Sequence, residues 1–261
     1  MKDDMLLTVS RLSAGYGAGD VIIDISFSLA AGEALCIVGE SGCGKSTLLK
    51  AILGVFELPH VSQGEVWFEG KSLYSLPPKQ RHEAATRGMG LIFQSPGAAF
   101  NPIRSYKKQF IETLKSHGRY DKESFEDKAR QVFAALELRD AGRILASCPY
   151  EMSGGMNQRI ALALCMLMQN RLLLADEPTS ALDALSRRTV ADELLMLRRE
   201  TKMAQLIVTH DLALASYLAD KIAVMHEGRI VELADAREIV TAPKHEYTRM
   251  LLQSVPTLGE D

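Results

Sequence analysis

Ala34-Leu35-Cys36-Ile37-Val38-Gly39-Glu40-Ser41-Gly42-Cys43-Gly44-Lys45-Ser46 decides how the rest of the chain is read. Its first five residues form an unbroken apolar run, as in a strand buried on both faces. Gly39 to Ser46 then match G-x-x-x-x-G-K-[ST], and Ser46 to Phe56 reads as a helix. That strand–loop–helix setting is what makes the motif a phosphate cradle rather than a glycine-rich turn. Glycines let the backbone wrap phosphates, and its N–H groups with the helix N-terminus supply positive potential. Lys45 can reach the β- and γ-phosphates, the Ser46 hydroxyl can ligate Mg²⁺, and Thr47 can support the α-phosphate side.

Working outward, short apolar runs alternate with helical stretches. Asp24 to Leu29 alternates polar and apolar, and Glu65 to Glu69 and Met89 to Phe93 read as further strands. Leu172 to Ala175 and Ala204 to Val208 read as buried strands, each followed by a helix. This alternation predicts an α/β protein with a mostly parallel sheet. Ile222 to Met225 and Arg229 to Leu233, joined by His226-Glu227-Gly228, predict a late hairpin. Between them, Arg104 to about Leu145 has helical periodicity and many charges, which predicts an inserted helical subdomain.

A second acidic element is needed to hold a metal and activate water. Leu172-Leu173-Leu174-Ala175-Asp176-Glu177 ends a buried strand in two acids. Asp176 is placed to orient the Mg²⁺ shell, and Glu177 is the candidate general base for the attacking water.

Bulk properties bound the answer. The chain has 261 residues, 47% hydrophobic and 24% charged, which fits one large domain with an insert. Its net charge of −3 offers no general attraction to nucleic acid, so no nucleic-acid partner is expected. The start, Met1 to Met5, is acidic and is not read as a secretory signal. The longest apolar run, Ile160 to Met168, has nine residues, against about twenty for a membrane span. A soluble chain is expected, with any membrane role left to a separate partner. Cys36, Cys43, Cys148 and Cys165 form no CxxC pair, so reduced cysteines are expected, most of them core fillers. Cys43 differs because it lies inside the loop, where a bulky thiol adduct would crowd the phosphates.

Ser153-Gly154-Gly155-Met156-Asn157-Gln158-Arg159 resembles the signature motif of the ABC-type ATPases. Gln94 is similar to that family's Q-loop glutamine, Ser180-Ala181-Leu182-Asp183 to its D-loop, and His210 to its switch histidine. Tyr16 resembles the aromatic residue that stacks on adenine. Six ordered motifs cover nearly the whole chain. The resemblance implies a P-loop NTPase fold of ABC type: a mostly parallel RecA-like core sheet, an antiparallel β subdomain and an inserted helical subdomain. It places the core at 1–94 and 165–261, the helical subdomain at about 95–164, and a family tail at about 240–261. The implied ligands are ATP and Mg²⁺.

The resemblance also implies roles. Residues 39–47 bind nucleotide: Gly39, Glu40, Ser41, Gly42, Cys43, Gly44, Lys45, Ser46 and Thr47. Glu177, His210, Gln94 and Lys45 are the catalytic set, and Ser46, Gln94 and Asp176 the metal set. Ser153, Gly154, Gly155 and Asp183 contact the nucleotide of a second subunit, because in this family the site closes only when two nucleotide domains sandwich ATP.

Phe93 to Pro102 and the tail His245-Glu246-Tyr247-Thr248 resemble the peptide and nickel importer branch, related to opine and metallophore importers. Glu246 stands where that branch usually has proline, and Met156 where many ABC proteins have glutamine. The Met-Ser-Gly-Gly-Met form is typical of one of two unlike ATPase subunits. The implied partners are a second nucleotide-binding subunit (a different ATPase, or a second copy), two transmembrane permeases and, indirectly, a solute-binding protein. The implied place is the cytoplasmic face of a bacterial inner membrane. Two alternatives share the motifs: an ABC-like ATPase subunit of a phosphonate carbon–phosphorus lyase complex, and a soluble non-transport ABC protein.

Overall fold

The structure is a computed structural model that describes residues 5–17, 19–93, 99–179 and 184–254. Its centre is a six-stranded sheet. Ala34–Val38 (β3) is buried at every residue, as the unbroken apolar run requires. Ala204–Thr209 (β8) and Lys221–His226 (β9) flank it, both parallel. Leu172–Asp176 (β7) and Met89–Ile92 (β6) extend the parallel set. Arg229–Asp235 (β10) closes one edge antiparallel to β9, which is the late hairpin read from the sequence.

A second, antiparallel sheet joins Gly19–Ala30 (β2), Met5–Tyr16 (β1), His60–Phe68 (β4) and Lys71–Ser72 (β5), in that order. The strands expected at Asp24 and Glu65 are therefore parts of longer ones. β1 escapes the sequence reading because a bulge interrupts its alternation. Arg11 has φ +48°, and the register slips between Val9 and Leu12. Gly64 opposite makes the bulge possible: a Cβ there would lie 2.2 Å from the Arg11 carbonyl.

Successive residues of β3 point to opposite sides of the sheet. Leu35 and Ile37 enter a core shared with the antiparallel sheet and with Lys45–Leu53 (α1). Cys36 and Val38 enter a second core that continues into the helices. α1 stops three residues short of the expected Phe56, because Gly54 takes a left-handed cap with φ +65° and returns its N–H to Lys50. Pro78–Gly88 (α2) precedes β6; it is polar along most of its length and gives no apolar stripe to read.

The charged helical stretch becomes Tyr106–Ser116 (α3), Phe125–Ala135 (α4) and Ala141–Ala146 (α5), followed by Gly154–Leu167 (α6). Their core is aromatic. Phe110 meets Tyr106 and Phe133 edge-on, with centroids 6.4 and 6.2 Å apart. The buried Tyr106 hydroxyl donates to Asn157 Oδ1, tying α3 to the first turn of α6. Ala184–Thr201 (α7), Leu212–Leu218 (α8), Ala236–Thr241 (α9) and Glu246–Ser254 (α10) complete the described chain. Among the described residues, no helix is long and apolar enough to cross a membrane.

Candidate nucleotide site

The parallel strands end side by side, and the site is built on that C-terminal edge, where open α/β sheets place their ligands. Between β3 and α1 the chain makes a tight loop. Gly42 and Gly44 have φ +85° and +107°, which side chains resist. Gly39 is needed for a different reason: a Cβ there would sit 2.2 Å from the Met225 carbonyl of β9. The loop folds over its own lysine. Lys45 is 5% exposed and its Nζ donates to the carbonyls of Gly39 and Glu40, both at 2.8 Å. An open cavity of 230 Å³ lies against it, lined by Ser41, Gly42, Gly44, Ser46, Thr47, Glu177 and Val21 of β2.

Asp176 ends β7 and reaches back across the sheet. Ser46 Oγ donates to its Oδ1 at 2.9 Å. Burial pushes the Asp176 carboxyl up, the Ser46 hydrogen bond pulls it down, and neighbouring Glu177 pushes it up again. Two oxygen donors side by side suit a hard divalent cation. Glu177 has φ +45°, a costly conformation for a non-glycine residue. Its N–H is held there by the Val208 carbonyl of β8 at 2.9 Å. The consequence is a carboxylate turned toward Lys45, 3.9 Å away, and His210, whose Nδ1 is 3.1 Å from Oε2. His210 is flanked by two held neighbours: Thr209 is buried and its hydroxyl accepts the Asp211 N–H at 3.0 Å, and Asp211 caps α8.

The structure thus gathers residues 39–47, Asp176, Glu177 and His210 into one cluster. Tyr16 lies at the end of β1, 40% exposed, where its hairpin partner β2 supplies Val21 to the cavity wall. Gln94 and Asp183 lie outside the described residues. Cys36 and Cys165 are buried core fillers. Burial pushes the Cys43 thiol up, with Lys45 pulling it down, which slows the alkylation its position invites.

Ser153, Gly154 and Gly155 do not join this cluster, and none of them lines the cavity. Ser153 caps α6 by accepting the Met156 N–H at 3.3 Å. Gly154 and Gly155 are exposed, and a Cβ on either would meet nothing within 4 Å. Two buried polar residues that follow them organise this region. Asn157 Nδ2 donates to the carbonyls of Pro149, Met152 and Ser153, and so shapes the turn before the helix. Gln158 Nε2 donates to the Pro178 carbonyl at 3.1 Å, joining α6 to the segment just after Glu177. The signal for both was present in the sequence as polar side chains on an otherwise apolar helix. Only packing shows what they hold.

A glycine-rich loop closed over a lysine, with two acids and a histidine at the neighbouring strand ends, defines a P-loop nucleotide hydrolase. The chain belongs to the ABC transporter family, whose sequence pattern matches residues 22–180. Residues 231–261 match the C-terminal region of oligopeptide/dipeptide transporters. It is 36% identical to the dipeptide transport ATP-binding protein DppD of Escherichia coli, over 98% of this chain and 80% of that protein. It is 34% identical to the metal-staphylopine import system ATP-binding protein CntD of Staphylococcus aureus, over 98% of this chain and 95% of that protein. Among solved structures, cbiO1 of Clostridium perfringens, part of an ABC transporter complex, superposes with a TM-score of 0.79 at 22% identity. That match covers 97% of this chain and 96% of the other and establishes the fold. The chain is an ATP-binding, ATP-hydrolysing subunit of ABC type.

Proposed function

We propose that this chain is one half of a paired ATPase on the cytoplasmic face of the cell membrane, driving uptake of a peptide or a metal chelate through two permease subunits. One observation carries the pairing. The chain has a phosphate loop folded over its own lysine and, separately, a helix start whose Gly154 and Gly155 are exposed, with nothing among the described residues within 4 Å of where their side chains would be. Helix N-termini bind anions. Ser153 to Gly155 therefore serve the γ-phosphate of a nucleotide held by another chain, and that chain's equivalent segment completes this one's site. The departure at Met156 favours an unlike ATPase as the partner over a second copy.

Each residue has a part. Lys45 keeps one of its three donors on the Gly39 carbonyl and turns the others to the β- and γ-phosphates, and the loop N–H groups and Thr47 hold the rest. Ser46 and Asp176 would hold Mg²⁺ with Gln94, and the ion neutralises phosphate charge when bound. Glu177 accepts a proton from the attacking water, and His210 holds Glu177 in line and contacts the γ-phosphate. Tyr16 stacks on adenine, and Asp183 contacts the partner across the interface. The substrate class rests on the relatives, named for dipeptide, oligopeptide and metal-staphylopine import, and on the C-terminal match.

Affinity purification from membranes tests this reading. It should recover two permeases and a second nucleotide-binding subunit with the chain. Recovery solely in a soluble enzyme complex would sink it.

A further inference from the structure

The C-terminal segment that resembles the importer tail reaches the phosphate loop. Tyr247 follows Glu40 by 207 residues, yet its phenol oxygen accepts the Glu40 N–H at 3.3 Å. That N–H belongs to the Gly39–Glu40 peptide, whose carbonyl, on Gly39, accepts from Lys45 Nζ at 2.8 Å. One peptide plane is thus gripped at both ends, by the phosphate-seeking lysine and by the tail. Hydrogen bonds in such a chain polarise and orient one another.

Tyr247 is itself firmly placed. Its ring is 7% exposed and stacks on His226, at the end of β9, with centroids 3.9 Å apart. The turn around it is pinned by one carboxylate. Glu232 on β10 accepts the N–H groups of Lys244 and His245 at 2.8 and 2.9 Å, and the buried Thr248 hydroxyl at 2.5 Å. Burial alone would push the Glu232 carboxyl up, but these three donors outweigh it and hold it below the usual range. A helix that merely covered the sheet would need the aromatic ring and not its hydroxyl.

We propose that Tyr247 is a positioning residue of the nucleotide site: its hydroxyl fixes the Gly39–Glu40 peptide, and through it the seat of Lys45, so the tail sets the affinity for ATP. This rests on the reading of residues 39–46 as the nucleotide cradle. Glu232 is the anchor that makes the contact rigid.

The test compares the full chain with Tyr247→Phe, Glu232→Gln and the double variant. Equilibrium MgATP binding, steady-state ATPase and the melting temperature are measured for each. Tyr247→Phe keeps the ring and should melt near the wild type. Loss of a hydrogen bond of about 1 kcal/mol should weaken ATP binding roughly 3- to 10-fold. The effect should fall on KM, with kcat little changed. Glu232→Gln should raise KM in the same direction, and the double variant should add little to either single change. An ATP affinity for Tyr247→Phe equal to wild type, a change confined to kcat, or fully additive effects overturn the proposal. Failure of the wild type to bind MgATP overturns instead the reading of the cradle itself.

Discussion

Two glycine-led segments in this chain open helices, and they are built in opposite ways. Gly39 and Gly44 are hemmed in. A side chain at Gly39 would strike the Met225 carbonyl, and one at Gly44 would lie 2.9 Å from the Ile22 Cγ2. Gly154 and Gly155, at the start of α6, have normal backbone angles and open space around them. The first pair of constraints is internal, so this fold accounts for those glycines. The second has no internal account. Glycine at a helix start with nothing near it among the described residues keeps room for something that is not part of the chain. The comparison separates a site made by one chain from a surface made for two.

Glu177→Gln probes the site made by one chain most sharply. Turnover should fall about 10²- to 10⁴-fold, the usual worth of general-base catalysis, with ATP binding kept. Normal hydrolysis by that variant would remove Glu177 from its role.

Alanine at the two kinds of glycine should give effects of opposite sign on stability. Gly39→Ala forces overpacking against β9 and should cost about 1–3 kcal/mol, with loss of ATP binding. Gly154→Ala meets nothing and replaces a poor helix former, so the melting temperature should hold or rise, by up to about 1 kcal/mol in stability. Its ATP binding should match the wild type while hydrolysis in the paired state falls. Equal destabilisation by both would erase the distinction, as would full activity of Gly154→Ala.

The smallest effect is expected at Ser153→Ala. Removing the cap from α6 should cost about 1 kcal/mol by denaturant titration. A cost several times larger would show that Ser153 is held by more of its own chain than the Met156 N–H.

Much of this was legible because it is local. β3, the loop and α1 occupy one continuous stretch, and glycine conformations are set by the backbone itself. β7 and β8 announce themselves as apolar runs, since both of their faces are covered, and the β9–β10 hairpin by its His226-Glu227-Gly228 joint. β1 did not, because its bulge at Arg11 shifts the alternation by which a strand is recognised. Asn157 and Gln158 could be read as part of a motif, but Asn157 holds backbone carbonyls of the preceding turn, and Gln158 reaches Pro178 on the far side of β7, neither of which a residue pattern announces.

By itself the sequence determined the phosphate loop, the two acids after β7 and the mostly parallel order of elements, since each depends on neighbours along the chain. The tertiary structure alone decided that Ser46 meets Asp176, that Glu177 meets His210, that Tyr247 grips the loop, and that among the described residues nothing crowds Gly154 and Gly155. The strand order β9-β3-β8-β7 brings the strand ends together across more than a hundred residues of chain. Contacts of about 3 Å follow from that arrangement, and no spacing in the sequence encodes it.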